Sequence, residues 1–459
     1  MNQTVLGILQ EFDLDTYRPI VPRSLNLGNA LPPRAGNLVK VVTGMRRSGK
    51  SYRLFQEMDA LLEAGVPAEA ICYFNFEDNR ISPATPQTGD AVLEAFRYLA
   101  QQAGANLDGI YLFFDELQEM EQWGSWLRRI VDTTKATIYI SGSSSKMLST
   151  EISTEFRGRA IDFELLPFSF RERLTMTPDG AELLKGPHFS PRLGARMQAI
   201  FDEYLTRGGF PAAQGLPTSQ AIALLQSYVQ RVVTRDVVER HDIARPRVAT
   251  ALARRLMGLN GKQISLRKIE NDLRSAGIAT GRAYLADLLA YFEEAYLVFQ
   301  VKEFSLNLSE KSTTRPKIYA VDPGIALASS RAGACERGQR LEDAVYLELR
   351  RRHPSMRDGG ISMLHTKQHG YEIDFVVGDA LEQEAFRLIQ VTESMEDEKT
   401  AQRQLRVLWE ALDETGLEEG LLLVGSGHET IYENNGRRIV QASAWKWLLD
   451  DSETGMQPI

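Results

Sequence analysis

A chain of 459 residues is too long for one ordinary core and predicts two to four domains. Hydrophobic residues at 43% and charged residues at 25% exclude a disordered polymer, and no apolar run approaches the roughly 18–20 residues that span a bilayer. A net charge of −8 argues against a dedicated nucleic-acid binder, and two cysteines, Cys72 and Cys335, exclude a disulfide framework or a cysteine metal cluster. Met1 to Asp15 carries acids and no basic flank, so it does not read as a signal peptide, and the expectation is a reducing, cytoplasmic compartment with no membrane partner.

The first part of the chain alternates two patterns. Leu38–Thr43, Ile71–Phe76, Ile110–Phe114, Ala136–Ile140 and Ile161–Leu165 are short apolar or β-branched runs of strand length. Continuous apolarity of this kind fits a parallel sheet covered on both faces. Between the strands lie helical spacings, such as Leu54, Phe55, Met58, Leu61 and Leu62 with Gly65 as the stop, and Trp123, Trp126, Leu127, Ile130 and Val131. This order predicts a three-layer α/β domain over residues 1–170.

Residues 171–246 read mainly as helix, interrupted by a Gly208-Gly209-Phe210-Pro211 turn, and form an expected helical lid. Over 247–335 the order helix, turn, helix, strand (Leu266–Leu273, Gly277, Arg282–Glu294, Leu297–Val301) is winged-helix-like. A last α/β domain is expected over 336–459, with a helix at Leu341–Arg351, strands at Ile361–His365, Glu372–Val377 and Arg387–Val391, a helix at Thr400–Leu412 and a strand at Gly420–Val424. No internal repeat or low-complexity linker separates these parts.

Gly44-Met45-Arg46-Arg47-Ser48-Gly49-Lys50-Ser51, followed by Tyr52, fits G-x-x-x-x-G-K-[ST] at every fixed position. The motif sits between a strand and an amphipathic helix, as a P-loop must. Its glycines let the backbone curl so that amides face a phosphate, and the helix N-terminus adds positive potential. The expected ligands are ATP and Mg²⁺: Lys50 would bridge the β- and γ-phosphates, and Ser51 would place its hydroxyl on the metal.

A second motif, Tyr111-Leu112-Phe113-Phe114-Asp115-Glu116, is a buried strand ending in two acids. Asp115 is expected to hold Mg²⁺, and Glu116 to act as base or orienter for an attacking water. An acid at that position points to water as the acceptor, hence to hydrolysis. After the fourth strand, Ser141-Gly142-Ser143-Ser144-Ser145 supplies Ser143 or Ser144 as a candidate sensor of the γ-phosphate; an ordinary Ser/Gly loop reads as well.

Together with Phe156-Arg157-Gly158-Arg159, Leu166-Pro167-Phe168-Ser169-Phe170, Tyr204, Gly208–Pro211 and Glu372-Ile373-Asp374-Phe375, these motifs resemble the prokaryotic AAA+ ATPases that carry a C-terminal restriction-endonuclease-like domain of unknown function. The resemblance covers nearly the whole chain. It implies an AAA+-like P-loop NTPase core, a helical lid, a winged-helix-like segment and a nuclease-like α/β domain. It also implies ATP hydrolysis in a homo-oligomer whose neighbouring subunit supplies an arginine, with Arg157 and Arg159 as candidates. Arg207, beside the Gly208-Gly209 turn, is a weaker candidate for reaching the nucleotide.

The nuclease-like chemistry needs a helix acid, a strand-end Asp and a following Glu-x-Lys. Glu342 and Asp374 stand in place, but Gln390 and Thr392 occupy the Glu and Lys positions, and Lys399 lies seven residues further on. The expectation is a degenerate site kept for binding or assembly, with an ATP-gated nuclease as the alternative and a slow nucleotide-switched binding protein as another. DNA is a candidate partner because Tyr228–Leu285 carries ten Arg and two Lys against five acids, an excess of seven positive charges. Packing between subunits, or against the acidic C-terminal domain, is the rival use.

Overall fold

A computed structural model describes residues 1–143, 158–184, 190–304, 315–330, 335–357, 359–379 and 384–450. Two compact units divide the chain: one holds Met1–Leu165 with Glu294–Tyr296, the other Leu166–Glu293 and Leu297–Ile459. Among the described residues no helix is long and apolar enough to cross a membrane.

In the first unit, β1 (Val39–Thr43), β2 (Ile71–Asn75), β3 (Ile110–Asp115), β4 (Ala136–Gly142) and β5 (Ala160–Glu164) form one sheet in the order β2-β3-β4-β1-β5. Every neighbouring pair is parallel. β4 therefore lies between the strand that leads into the phosphate-loop motif and the strand that ends in the acids. Alternation along the strands feeds two cores. Val41, Phe74 and Phe114 face one side with Trp126 and Leu127, while Val42, Phe113 and Tyr139 face the other with Leu54, Phe55 and Met58. The Phe113 and Tyr139 rings stack at 4.6 Å with an interplanar angle of 3°. Helices α1 (Gln3–Glu11), α2 (Lys50–Glu63), α3 (Pro86–Gln102) and α4 (Trp123–Thr133) cover the faces.

The second unit opens with α5 (Phe170–Thr175), whose Ser169 cap and Glu172 form a reciprocal capping box. It continues through α6 (Pro191–Arg207), α7 (Thr218–Arg231), a π-helix (Val232–Glu239), α8 (Pro246–Met257), α9 (Leu266–Ser275) and α10 (Arg282–Glu294). Strands β6 (Lys262–Gln263), β7 (Val298–Val301) and β8 (Lys317–Ala320) make a small antiparallel sheet in the order β6-β8-β7. Then come α11 (Pro323–Ser329), α12 (Arg337–Arg352), β9 (Ile361–His365), β10 (Glu372–Asp379), β11 (Glu384–Thr392), α13 (Glu398–Thr415), β12 (Glu419–Val424), β13 (Thr430–Asn434), β14 (Arg437–Ser443) and α14 (Ala444–Trp447). The six strands β9–β14 form a mixed sheet in the order β13-β14-β12-β11-β10-β9. Phe304 N donates to Met363 O at 2.6 Å and Met363 N to Lys302 O at 2.9 Å, so the chain leaving β7 pairs with β9 and joins the small sheet to the large one.

The Gly208-Gly209 turn has a structural cause. Gly208 has φ +73°, and a Cβ on it would overlap the Asp322 carboxylate. That carboxylate accepts from Gly209 N at 2.6 Å and caps α11 by accepting from Ile325 N at 3.0 Å. On the other side Phe168 N donates to Gly209 O at 2.8 Å, and Tyr204 Oη donates to Phe168 O at 3.1 Å. Only glycine fits where the backbone lies this close to both partners.

Candidate functional site

The loop after β1 has an unusual backbone. Gly44, Arg47 and Gly49 have φ of +149°, +70° and +102°. A Cβ at Gly44 would strike the carbonyl of Leu165, which is drawn close because Leu165 N donates to Thr43 O at 2.7 Å. Gly49 in the left-handed region lets Lys50 begin α2 immediately, so the helix's unpaired N-terminal amides open onto the loop. The loop is braced from below: buried Arg23 donates to Ser48 O at 2.8 Å. Met45 is fully buried, while Arg47 and Tyr52 are exposed. The Ser48 hydroxyl is buried without a hydrogen-bond partner among the described residues.

Four side chains converge beside this loop. Lys50, nearly fully buried, places Nζ 3.1 Å from Glu116 Oε1 and donates to Gly44 O at 3.2 Å. Asp115, fully buried at the end of β3, accepts from Tyr73 Oη at 2.8 Å and from the Ser141 hydroxyl. Ser51 is also hydrogen-bonded to Asp115. Ser141 in turn accepts from Glu116 N at 3.0 Å, which fixes Glu116 in a left-handed conformation with φ +49°. A non-glycine residue held there costs on the order of 1–3 kcal/mol and persists only where its surroundings impose it. Gln118 donates to the Glu116 carboxylate and, at 3.3 Å, to Ser143 Oγ.

The two acids are electrostatically unlike. Burial raises the pKa of Asp115, and the neighbouring Glu116 charge raises it further, against hydrogen bonds from Ser141, Ser51 and Tyr73. Burial would raise Glu116 as well, but Lys50 and then Arg46 outweigh it and hold its pKa below the ordinary value. Glu116 is thus the ready carboxylate, and Asp115 is the one that gains by meeting a cation. Ser51 and Asp115 offer hard oxygen donors side by side, so the residues fit Mg²⁺, and the curled loop with Lys50 fits a triphosphate.

Other candidates from the sequence are placed as follows. Arg46 is buried and pairs with Glu77 at 2.7 Å and Glu119 at 3.0 Å. Ser143 is buried beside Gln118. Arg159 is exposed and pairs with Asp132 at 2.5 Å. It precedes β5, and Val39 N donates to its carbonyl at 2.9 Å, so it stands at the end of the sheet away from the phosphate loop. The length of β1 puts about 13 Å between these ends. Arg159 therefore cannot serve the loop of its own subunit. Arg157 and Ser144 lie outside the described residues. Arg207 donates to Ala213 O at 3.3 Å and to Leu216 O, and pairs with Glu203 at 3.0 Å. Those partners hold its guanidinium within its own turn. Sequence reasoning missed Tyr73, Gln118 and Arg23. Only the alternation of Tyr73 within β2 could have hinted at it.

The C-terminal cluster differs from expectation at one point. Glu342 on α12 and Asp374 on β10 stand together, and Asp374 N donates to Gln390 Oε1 at 3.3 Å. The cation among them comes from neither Thr392 nor Lys399, which lies on α13, but from Lys317 on β8. Its Nζ lies 2.7 Å from Glu342, 2.6 Å from Glu372 and 2.9 Å from Asp374. Tyr319 Oη donates to Glu342 at 2.5 Å, and Val391 N to Asp374 at 2.9 Å. Burial would lower the Lys317 pKa, but Asp374, Glu342 and Glu372 raise it well above the usual lysine value, so the ammonium stays charged. Lys317 thus supplies the ammonium that Thr392 cannot, while the amide of Gln390 still stands beside Asp374 where the nuclease pattern has a carboxylate, so the metal-ligand set is one acid short.

Residues 36–174 match the family described as an AAA domain, and residues 198–336 match a domain of unknown function, DUF8612. An uncharacterized protein of Methanocaldococcus jannaschii is 30% identical over 422 residues, covering 90% of this chain and 88% of its own. An uncharacterized protein of Haemophilus influenzae is 27% identical over 345 residues, covering 75% and 80%. The crystal structure of Cdc6p from Pyrobaculum aerophilum aligns with 72% of this chain and 97% of its own at 13% identity, with a TM-score of 0.27.

Proposed function

Because this chain belongs to one family with that Methanocaldococcus jannaschii protein and carries an AAA domain, we propose that it is an AAA+-like ATPase. In this reading it binds Mg-ATP and hydrolyses it to reposition its C-terminal modules. The observation that carries the reading is the convergence of Lys50, Ser51, Asp115 and Glu116 on the mouth of one curled loop. The amides of Gly44–Ser51 and the Lys50 ammonium hold the phosphates. Ser51 and Asp115 hold Mg²⁺, which neutralises phosphate charge when bound. Glu116 orients water and takes its proton as the water oxygen bonds to the γ-phosphorus and the bond to the β-phosphate oxygen breaks. Ser141 and Tyr73 position the two acids, and Ser143 holds Gln118 against Glu116.

Arg159 is assigned to the site of a neighbouring subunit, with Arg157 as the other candidate, so the working form is a homo-oligomer. Its place at the far end of the sheet supports service in trans. The winged-helix-like segment and the restriction-endonuclease-like domain are read as the moved parts. Gln390 stands in the nuclease-like centre in place of a carboxylate ligand, and this supports a role in binding or assembly over cleavage.

Two measurements test the proposal. Glu116→Gln should retain ATP while phosphate release falls by roughly 10²-fold or more; normal turnover in that variant would remove Glu116 from its role. Particle mass should rise with a non-hydrolysable ATP analogue, and a monomer under all conditions would end the trans-arginine scheme.

A further inference from the structure

The basic residues of Tyr228–Leu285 do not gather on α10, the second helix of the helix-turn-helix order. That helix carries Arg282 against Asp287, Glu293 and Glu294, and buries Leu285, Leu288, Leu289 and Phe292. They gather elsewhere. An open groove of about 1570 Å³ runs among α7, the π-helix, α8, α9 and α11. Arg231, Arg235, Arg247, Arg254 and Arg255 line it against Glu239 and Asp272, an excess of three positive charges in a chain of net charge −8. Asp272 is already committed to Arg255 at 2.5 Å.

We propose that this groove binds the phosphodiester backbone of a nucleic acid. Arg231 and Arg235 are four residues apart, and Arg247 and Arg254 seven apart, so each pair repeats along one helix face as a charged rail. Arg231, Arg247 and Arg254 are exposed and have no ion-pair partner among the described residues. Uncommitted guanidinium forks match phosphate oxygens two at a time. Arg255 Nε and Ser329 Oγ, both in the lining, are buried without hydrogen-bond partners among the described residues. One wall is an eight-residue π-helix, a form that occurs mostly as single turns and frequently at functional sites. The volume exceeds the ~300–1,000 Å³ usual for a small-molecule pocket, which favours a chain over a metabolite. Such contacts read the backbone and not the bases, so binding is independent of sequence. This inference does not rest on the ATPase reading.

The test uses the full-length protein and fluorescence anisotropy with a single-stranded oligonucleotide of roughly 20 nucleotides, its duplex and a labelled poly-glutamate peptide. The single-strand and duplex arms report which form the groove prefers. Binding of at least one of them should weaken steeply with salt. Arg231→Ala/Arg247→Ala/Arg254→Ala should cut affinity at least tenfold and reduce the slope of log K against log salt by about 2 on the single strand or about 3 on the duplex, as expected for three lost phosphate contacts. ATP binding, measured on the same samples, should be unchanged, so failure of the two readings is distinguishable. If the triple variant folds poorly, Arg254→Glu at its exposed position gives the same comparison. No binding to either nucleic acid, an unaltered slope in the variant, or equal binding of poly-glutamate would overturn the proposal.

Discussion

Lys50 and Glu116 form an ion pair at 3.1 Å, with both side chains almost wholly buried beside the phosphate loop. In the proposed reading their opposite charges belong to different tasks, one to the phosphates and one to water. Removing either should therefore have different consequences. Lys50→Ala should lose ATP affinity by at least tenfold, because it deletes the cation and leaves Glu116 buried without it. Glu116→Gln should bind ATP at least as tightly as the parent, since the ammonium no longer divides itself between carboxylate and phosphate. Equal nucleotide affinities for the two variants in a titration with a fluorescent ATP analogue would contradict this division.

Ser141 holds Asp115 with its hydroxyl proton and Glu116 N with its oxygen. Ser141→Ala leaves a buried N–H without its partner and a buried carboxylate with one donor fewer, a cost of about 1–3 kcal/mol. Turnover should fall roughly tenfold or more while ATP affinity changes little, because the phosphate cradle is untouched. A normal turnover number in phosphate-release assays would show that Glu116 needs no such support.

Among the described residues Arg159 pairs only with Asp132, and exposed pairs of this kind contribute ~0–1 kcal/mol. Arg159→Ala should leave the melting temperature nearly unchanged. Its turnover should fall by about 10³-fold, the lower range for an arginine acting on a phosphoryl group. Mixing it with Lys50→Ala protein should restore activity, since each variant lacks a different half of a shared site. No recovery on mixing would assign the trans role elsewhere.

Lys317 is enclosed by Glu342, Glu372 and Asp374. Lys317→Met strands these carboxylates without a cation and should destabilise the protein by about 3–5 kcal/mol. Lys317→Met/Glu342→Gln/Asp374→Asn should recover most of that loss, because removing charge with its partners is far cheaper than removing one side. Denaturant midpoints compare the three proteins. A triple variant no more stable than Lys317→Met would mean that the lysine acts by shape and not by charge.

The Asp322 carboxyl is pushed from 3.8 up to about 6 by burial, against hydrogen bonds from Gly209, Ile325 and Gly324 amides. A folded-state pKa above the unfolded one means that this group favours the fold fully below about pH 4. Its contribution is lost as pH rises through 6, by up to about 3 kcal/mol at about 1.4 kcal/mol per unit. Asp322→Asn does not titrate, so the stability difference between parent and variant should change between pH 4 and 7 and stay flat above. A parallel pair of stability curves across that window would disprove the assignment.

The sequence by itself determined the P-loop and the five strands of the first sheet. Both signals are local: a run of apolar residues makes a buried strand, and Gly44 and Gly49 allow a curl that other residues resist. It also marked Asp115 and Glu116, because acids ending a buried strand need a reason. Tertiary structure decided what surrounds them. Ser141 meets Asp115 only because β4 lies beside β3, and Tyr73 only because β2 lies on the other side. Lys317 escaped notice for the same reason: it lies 57 residues from Asp374 in sequence and 2.9 Å away in space. Spacing rules report neighbours along a helix or strand, whereas a charge cluster is assembled by the packing of separate elements.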